Sequence, residues 1–498
     1  MKPNLIDKAV GYISPRNGRE RLQERRAMEL VKRHYEAASS SQRTSRWKKV
    51  GSSANSANAN ALSTLRNVSR DLERNNPWAR RGIRSVVNHT VGWGIMPNSK
   101  NEKAMAVWKG WAETTDCDAG EKMNLYQMQR IAFTSMVRDG EVFIRRRPRK
   151  IIDGYHIPMQ LQVLEADFLD TSKDGVMGIE GGAIIQGVEY DALDRPVAYW
   201  MYENHPGDTT WKRGLTLKSN RIPAKDIRHL MRPDRAGQAR GISWLAPIIL
   251  RLKDFDDYED ATLLKQKIAA CFVGVIKTQD MSGVNIGEQD TSKLPQLNEQ
   301  MMQPGTFMQM QNGQEVEFSE PPRVDDLEPH QRNVLRGIAA GLGITYEMLT
   351  GDYSQVNYSS ARMGRLEFQR NLHEWQYELM IPLFCQPIWE WAMETARING
   401  QVRGEAKAEW VVQPMSMLEP DKEALAAIRS VRGGLLTPSG MLREQGIDPE
   451  KHWAEYAADL KKLDDLGIIL DLDPRNTTQA GNPRQQASPY AEPSKTES

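Results

Sequence analysis

Hydrophobic positions along this chain recur every three to four residues over long stretches, which predicts a largely helical protein. Leu62 and Leu72 begin the first repeat, and Ile83 continues it beyond Asn76-Pro77. Because proline disfavours helical backbone in the residue before it, we expect two helices with a break between them. Similar repeats predict further helices around Val107 to Trp111 and from Tyr126 to Asp139-Gly140.

Between Glu141 and Met231 the pattern changes to short apolar or alternating runs such as EVFIRRR, MQLQVLEADFLD and AIIQGVEYDALDRPVAYWMY. Turn residues, mainly Gly, Asp and Pro, separate these runs. Alternation with a period of two is typical of strands. The segment therefore predicts a small β-rich or α+β unit.

Two helical windows flank a segment that lacks helical periodicity. The first extends from 243 to 270, with Ser243 as the N-cap and Pro247 near its start. A helix of about 28 residues would be roughly 42 Å long. The second covers 328 to 343 and carries Leu335 and Leu342 on one stripe. Residues 271 to 324 between them predict a compact inserted unit.

The segment from Thr345 to Tyr358 is polar, rich in tyrosine and prone to turns, so we expect an exposed loop. An aromatic-rich helix follows from 359 to 397, kinked or broken by Pro382 and Pro387. Shorter helices are predicted at 421–432, 438–445 and 449–466. The Pro/Gln/Ser-rich tail from 473 to 498 has the composition of a disordered segment.

The charge of the chain is balanced, with 66 Lys and Arg against 65 Asp and Glu in 498 residues. This balance argues against a protein whose whole surface binds nucleic acid. Residues 1 to 60 form a polar, basic arm that contacts DNA or a partner, or else carries only solvated helix charge. No apolar run approaches the ~18 residues of a membrane span, so no membrane association is expected.

Motifs of catalysis are missing from the sequence: it contains no G-x-x-x-x-G-K-[ST], H-E-x-x-H or G-x-S-x-G, and its three cysteines lack zinc spacing. The densest acidic group comprises Asp254, Asp256, Asp257, Glu259 and Asp260. Consecutive helical positions point around the helix rather than toward one ion. We therefore expect no metal, no cofactor and no enzyme activity, and these carboxylates would face a neighbour's Arg or Lys or line a channel.

Several dispersed strings resemble the portal proteins of lambda-like tailed bacteriophages. They are RNNPWARRGIRSVVNHTVGWGI at Arg74, LEADFLD at Leu164, GVEYDALDRPVAYWMY at Gly187, HLMRPDRAGQARGISWLAPIILRLKDFDDYEDA at His229 and IAAGLGITYEMLTGDYSQVNYSSAR at Ile338. The resemblance extends over about residues 60 to 400. It implies an α+β, mainly α-helical portal fold with wing, stem, clip and crown, assembled as a ring of about twelve copies around a central channel.

On this chain the resemblance implies a domain order. After the arm at 1–60 come the wing at 61–240, the first stem helix at 241–270, the clip at 271–324, the second stem helix at 325–343, the tunnel loop at 344–358, a long helix from wing to crown at 359–399, the crown at 400–472 and the tail at 473–498. The tunnel-loop residues nearest to DNA would be Asp352, Tyr353, Ser354, Gln355, Asn357 and Tyr358. The clip residues that dock partners would be Met301, Met302, Phe307 and Met310.

The implied partners are further copies of the chain, double-stranded DNA in the channel, the large terminase subunit, head-completion and connector proteins, the major capsid protein and the scaffold. The implied location is the portal vertex of the virion, after assembly in the host cytoplasm. Two other functions stay open on the residues alone: a carboxylate-dependent nuclease that uses Asp256 and Asp257, and a sequence-tolerant DNA-binding or scaffold protein that uses residues 1 to 50.

Overall fold

The computed structural model describes residues 12–17, 19–20, 23, 51–179, 181–208, 218–271, 275–278, 314–317, 327–414, 419–447 and 449–468. The chain divides into two compact units, Met1–Ala57 and Asn58–Ser498. Helical residues between 12 and 23 belong to the first unit, and a short helix, Ala54–Asn58 (α1), ends at the boundary. The larger unit carries the fold that follows.

Its helices confirm most of the predicted ones. They are Leu62–Asn75 (α2), Pro77–Thr90 (α3), Glu102–Ala112 (α4), Leu125–Asp139 (α5), Ile249–Cys271 (α6), Leu327–Leu342 (α7), Tyr346–Thr350 (α8), Tyr358–His373 (α9), Gln386–Ile398 (α10), Pro420–Arg432 (α11), Pro438–Glu444 (α12) and Pro449–Asp465 (α13). Asn76 ends α2 and caps α3, accepting a hydrogen bond from the Ala79 backbone N–H at 2.8 Å, and Pro77 occupies the first helical position. The predicted break is therefore confirmed.

The predicted β-rich segment forms two antiparallel sheets. Glu141–Pro148 (β2) lies between Met159–Glu165 (β3) and Ile227–Met231 (β8), in the order β3-β2-β8. The second sheet has the order β4-β5-β6-β7 and consists of Gly181–Ile185, Val188–Asp191, Pro196–Tyr202 and Ser219–Pro223. Two smaller pairs join Met96–Asn98 (β1) to Glu409–Val411 (β11) and Val275–Thr278 (β9) to Gln314–Glu317 (β10).

The side chains of β2 alternate between two hydrophobic cores. Val142 and Ile144 point into the larger core, which is shared with helices α2 to α10. Phe143 points the other way, into a smaller core between the two sheets that also contains Tyr199 and Met201. Successive side chains of a strand face opposite sides, so β2 is covered on both faces.

The structure corrects the helix predicted to begin at Ser243. Residues 244 to 248 form turns, and α6 begins at Ile249. The Ser243 hydroxyl accepts a hydrogen bond from the Leu245 N–H at 3.1 Å and contacts the Ser69 hydroxyl at 2.8 Å. At 1.5 Å per residue α6 spans about 35 Å rather than 42 Å.

The aromatic-rich helix is not broken at Pro382. A π-helical stretch, Glu374–Cys385, joins α9 to α10, and Pro382 lies inside it. Proline lacks an N–H and its ring crowds the carbonyl four residues earlier, and a wider π turn is one way for a helix to continue past such a position. The helical backbone therefore continues from α9 to α10 through a local change in helix type.

The inserted unit is described only at β9 and β10, which pair from Val275↔Glu317 to Thr278↔Gln314. The clip residues predicted from the resemblance, Met301, Met302, Phe307 and Met310, lie outside the described residues. No described helix combines the length and the hydropathy that a membrane span requires.

Candidate functional site

The candidate site is the segment from Thr345 to Tyr358, which connects α7 to α9. Gly343 turns the chain at the end of α7 with φ of +71°, and a Cβ there would lie 3.3 Å from Asn371 Nδ2 and from Trp375 Cζ2. Asn371 Nδ2 also donates to the Gly343 carbonyl at 3.0 Å. The turn therefore requires glycine, and it fixes the direction in which the segment leaves the helix.

The first half of the segment is helix α8 rather than the predicted loop. Thr345 caps it by accepting a hydrogen bond from the Met348 N–H at 3.3 Å. Leu349 is fully buried in the larger core, and Arg81 of α3 donates to the Met348 carbonyl at 3.3 Å. The prediction of an exposed loop is therefore wrong for residues 346 to 350, because Leu349 anchors them in the core.

Two of the six predicted channel residues have local structural roles. Asp352 accepts hydrogen bonds from the Ser354 N–H at 3.0 Å and from the Tyr346 hydroxyl at 3.2 Å. The pKa of the Asp352 carboxyl is lowered, mainly by its hydrogen bonds with Ser354. The hydrogen bond from Tyr346 and the positive charge of Arg332 act in the same direction. Asn357 caps α9, because its side chain accepts from the Ser360 N–H at 2.8 Å while Ser360 Oγ accepts from the Asn357 N–H at 3.1 Å.

The other four predicted residues lie at the surface. Tyr353 is 63% exposed and Tyr358 is 44% exposed, and Ser354 and Gln355 are exposed as well. The Lys422 ammonium lies 5.9 Å from the centre of the Tyr358 ring. The structure thus presents hydroxyl and amide groups, without a Lys or Arg between Gly351 and Tyr358.

A cleft of about 660 Å³ lies beside this segment. Its lining includes Tyr353 and Val356 from the segment, His89 from α3, Arg365 from α9, and Gln413. The His89 ring packs edge-on against Phe368 at 5.2 Å. No local sequence pattern indicates His89, Arg365 or Gln413, because only the tertiary fold brings these three segments together.

The predicted acidic group on α6 does not converge on one point. Asp256 accepts a hydrogen bond from Asn76 Nδ2 at 2.7 Å, Glu259 accepts from Gln331 Nε2 at 3.3 Å, and Asp257 pairs with Lys253 on the exposed side at 3.2 Å. Burial, followed by the charges of the neighbouring aspartates, raises the pKa of Glu259. Asp254 and Asp260 are exposed. The carboxylates spread around the helix, as its geometry predicts.

A different group, Glu165, Asp167 and His205, has ligand atoms within 4.8 Å of one another. Arg70 already donates to Glu165 at 3.1 Å and to Asp167 at 2.7 Å, and Arg66 donates to Asp167 at 2.9 Å. These arginines outweigh the effect of burial and lower the pKa of Asp167. The carboxylates are thus neutralised by guanidinium groups.

The histidine of this group also does not fit a metal site. His205 Nδ1 accepts a hydrogen bond from the Gly207 N–H at 3.1 Å. In the neutral imidazole the ring proton therefore lies on the other nitrogen, Nε2. Nε2 faces Glu165 Oε2 at 3.4 Å and therefore offers a proton rather than a lone pair. Asp139 and Arg138 of α5 also pair with Arg70 and Glu165, respectively, so we interpret the group as part of an ion-pair network that ties α2 and α5 to β3.

Comparison with known proteins connects most of the chain to one family. A family model described as "Phage portal protein, lambda family" matches residues 40–376. A probable portal protein of Halomonas phage phiHAP-1 is 25% identical over 430 residues, which cover 81% of each chain. Portal protein B of Escherichia phage lambda is 20% identical over 469 residues, which cover 80% of this chain and 83% of the relative.

Solved structures show a more distant similarity. The neck of a native GTA particle computed with C12 symmetry is similar to this chain, with 14% sequence identity and a TM-score of 0.43. The match covers 76% of this chain and 94% of the other.

Proposed function

Because the chain belongs to the lambda family of phage portal proteins, as the resemblance in its sequence predicted, we propose that its copies close into a ring of about twelve subunits. Double-stranded DNA passes through the centre of this ring during packaging and ejection. The role is structural and not enzymatic, and the ring occupies one vertex of the virion after assembly in the host cytoplasm.

The segment from Gly351 to Tyr358 carries this proposal. It is held at both ends, by Leu349 in the core and by the Asn357 cap of α9, while Tyr353, Ser354 and Gln355 between these anchors are exposed. Duplex DNA carries one negative charge per ~1.7 Å, and each cationic contact adds affinity through counterion release. A segment with hydroxyls, amides and no Lys or Arg contacts phosphates without holding them, which suits a conduit.

The remaining assignments are proposed on the same basis. Residues 61–240 form the wing, α6 and α7 form the paired stem, residues 271–324 form the clip, and residues 400–472 form the crown. The exposed carboxylates of α6, Asp254, Asp257 and Asp260, face basic groups of a neighbouring copy or the channel. The terminase motor and later the head-completion proteins dock at the clip, and the capsid protein and scaffold contact the outside of the ring.

A nuclease is disfavoured by the geometry of α6. Two-metal catalysis needs carboxylates that share ions about 3.5–4 Å apart. Asp256 and Asp257 instead hydrogen-bond in different directions, to Asn76 and to Lys253.

A bulky adduct at the proposed channel wall tests the function. The variant Ser354→Cys, made in a Cys271→Ser background, is labelled with a biotin maleimide and bound to streptavidin. Cys117 and Cys385 are buried, so the label reacts at position 354. The matched control is Leu193→Cys, at a turn where the side chain is 72% exposed. We expect both variants to form rings, with DNA packaging in vitro blocked only by the adduct at Ser354. Equal packaging by both, or a block only at Leu193, would refute the proposal.

A further inference from the structure

Helix α6 carries one exposed stripe that mixes leucines with carboxylates. Residues three and four apart share one side of a helix, and this stripe, named the acidic stripe, consists of Leu250, Asp254, Asp257, Ala261 and Leu264. Leu250 is 75% exposed and Leu264 is 58% exposed, whereas Leu252 and Phe255 on the other side of the helix are buried in the larger core. Exposed apolar side chains that line up on one surface mark an interaction site.

Helix α9 and the first turn of the π-helical stretch carry a second exposed stripe, which mixes apolar and basic side chains. This stripe, named the basic stripe, consists of Met363, Leu366, Arg370, His373 and Tyr377. Met363, Leu366 and Tyr377 are 68%, 49% and 53% exposed. Phe368 and Leu372, on the other side of α9, are buried in the larger core. The second stripe therefore resembles the first in its exposed apolar groups and differs in the sign of its charged ones.

The two stripes match position by position when one of them is read backwards. From Leu250 the acidic stripe advances by four, three, four and three residues, and from Tyr377 the basic stripe goes back by the same steps. An antiparallel pairing therefore places opposite each other Leu250 and Tyr377, Asp254 and His373, Asp257 and Arg370, Ala261 and Leu366, and Leu264 and Met363. Both stripes extend over about 21 Å at the rise of an α-helix. Two carboxylates then meet two basic side chains, and each remaining pair brings together two apolar or aromatic side chains.

The charges disfavour pairing of either stripe with itself. Two antiparallel acidic stripes would bring Asp257 of one copy against Asp257 of the other, and two basic stripes would bring Arg370 against Arg370. Like charges placed opposite each other are unfavourable. The stripes therefore fit a contact in which each copy gives a different surface to each of its two neighbours. Such heterologous contacts produce rings when the rotation closes.

The charged groups of the two stripes are available to a neighbour. Asp257 and Arg370 each pair with a residue of their own helix, at 3.2 Å and 3.7 Å, and these side chains are more than half exposed. Exposed pairs contribute little to stability, so a carboxylate and a guanidinium that meet through two parallel hydrogen bonds replace them readily. Asp254 and His373 take part in no hydrogen bond or ion pair within the part of the chain that the structure describes. An imidazole offers an N–H to a carboxylate in either charge state.

We propose that the acidic stripe of one copy packs antiparallel against the basic stripe of the next copy around the ring. The central contact is an ion pair between Asp257 and Arg370, beside a hydrogen bond between His373 and Asp254. The apolar residues at the two ends exclude water from both. This inference rests on the proposed ring and identifies the surfaces through which neighbouring copies recognise each other.

Charge reversal in the purified full-length chain tests this contact, with ring formation followed by sedimentation velocity over a range of concentrations. Asp257→Arg and Arg370→Asp should each raise the concentration at which half of the copies are in rings at least about tenfold, because each places like charges opposite each other. The matched control is Glu405→Arg, since Glu405 is also an exposed carboxylate that pairs with a lysine at 3.2 Å. It should assemble as the parent does.

An equimolar mixture of the two single variants should recover the rings. The reversed charge of one variant then meets the reversed charge of the other, while the unchanged Asp257 and Arg370 form the remaining contacts. The two variants therefore alternate around a ring with an even number of copies. Rescue in the mixture can come only from contacts between copies, whereas a pair within one chain would not be restored by mixing.

Cysteine cross-linking tests the register without changing any charge. Ala261→Cys/Leu366→Cys is made in the Cys271→Ser background, and oxidation should link the copies into a ladder on a non-reducing gel, since the two positions face each other within the reach of a disulfide. Ala261→Cys/Leu193→Cys is the control, because Leu193 is 72% exposed and lies outside both stripes. It should give no ladder.

Three results would overturn the proposal while leaving the proposed function intact: rings of Asp257→Arg at the parent's concentration, a mixture that assembles no better than its components, and either equal ladders from the two cysteine pairs or none. A lower melting temperature of the charge variants than of Glu405→Arg, measured below the concentration of assembly, would also overturn it, since it would give the charges a role within one chain. A parent chain that stays monomeric under all conditions would refute the ring and the contact together.

Discussion

Replacing Glu141 with glutamine should destabilise the chain far more than replacing an exposed glutamate. Glu141 is 0% exposed and binds Arg240, which is 2% exposed. The carboxylate accepts hydrogen bonds from Arg240 Nε at 2.8 Å, from His229 Nε2 at 2.9 Å and from the Gly241 N–H at 3.0 Å. These contacts join β2 to the segment that leads into α6. Glutamine keeps the shape but leaves the Arg240 charge buried and uncompensated.

The expected cost is about 3–5 kcal/mol, the range for breaking a buried ion pair by removing one partner. Glu394→Gln is the matched control, since Glu394 also pairs with an arginine, Arg146, but is 59% exposed. Exposed pairs contribute roughly 0.2–1 kcal/mol. Replacing both partners, as Glu141→Leu/Arg240→Met, should recover part of the loss, because no unpaired charge remains buried.

Acid should act on the same group. Burial by itself would raise the pKa of Glu141, but the Arg240 charge, His229 and their hydrogen bonds outweigh it and lower this pKa well below the ordinary value. The carboxylate therefore stabilises the fold above about pH 4.5, the ordinary value for this group, and this contribution is lost as the pH falls toward the lowered pKa. Glu141→Gln should flatten the dependence of stability on pH below that point.

The assay is equilibrium urea unfolding followed by the fluorescence of the 13 tryptophans, at one protein concentration because assembly shifts apparent stability. If Glu141→Gln lowers the free energy of unfolding no more than Glu394→Gln does, the reasoning is refuted. An unchanged acid profile would refute the electrostatic part alone.

Three further outcomes are expected. Leu335→Pro, in the middle of α7, should cost about 3 kcal/mol or more and prevent rings in negative-stain images; normal rings would make the stem assignment wrong. Asn357→Ala should cost about 0.5–2 kcal/mol by removing the cap of α9, with Asn357→Asp close to the parent, as read by urea midpoints; equal losses in both would exclude capping as the cause. Shortening residues 350 to 357 should leave rings intact and impair packaging or DNA retention, whereas loss of ring assembly would show that the segment holds the fold.

Local chemistry explains what the sequence predicted correctly. The break at Asn76-Pro77 depends on the Asn76 cap and on the missing N–H of Pro77. The end of α5 depends on the positive φ of Gly140, which is +95°. Such signals act within a few residues and need no tertiary contacts. The alternation between Glu141 and Met231 likewise predicted strands from the pattern alone.

Tertiary contacts explain the rest. The burial of Leu349 depends on packing against α3 and α7, so the polar composition of residues 345 to 358 predicted a loop where the five residues Tyr346–Thr350 form a helix. Ser243 resembles a cap, yet its hydroxyl contacts Ser69, which is distant in the chain, and the helix starts six residues later. The different positions of Arg145, Arg146 and Arg147 could not be predicted, since three consecutive arginines look alike until the strand places them on different faces.

A reconstruction of the assembled full-length protein by electron cryomicroscopy tests the central claim most directly. The account predicts an annulus in which density for Tyr353 to Asn357 lines the narrowest part of the central opening. Density for these residues on the outer rim, or particles that contain a single copy under all conditions, would contradict it.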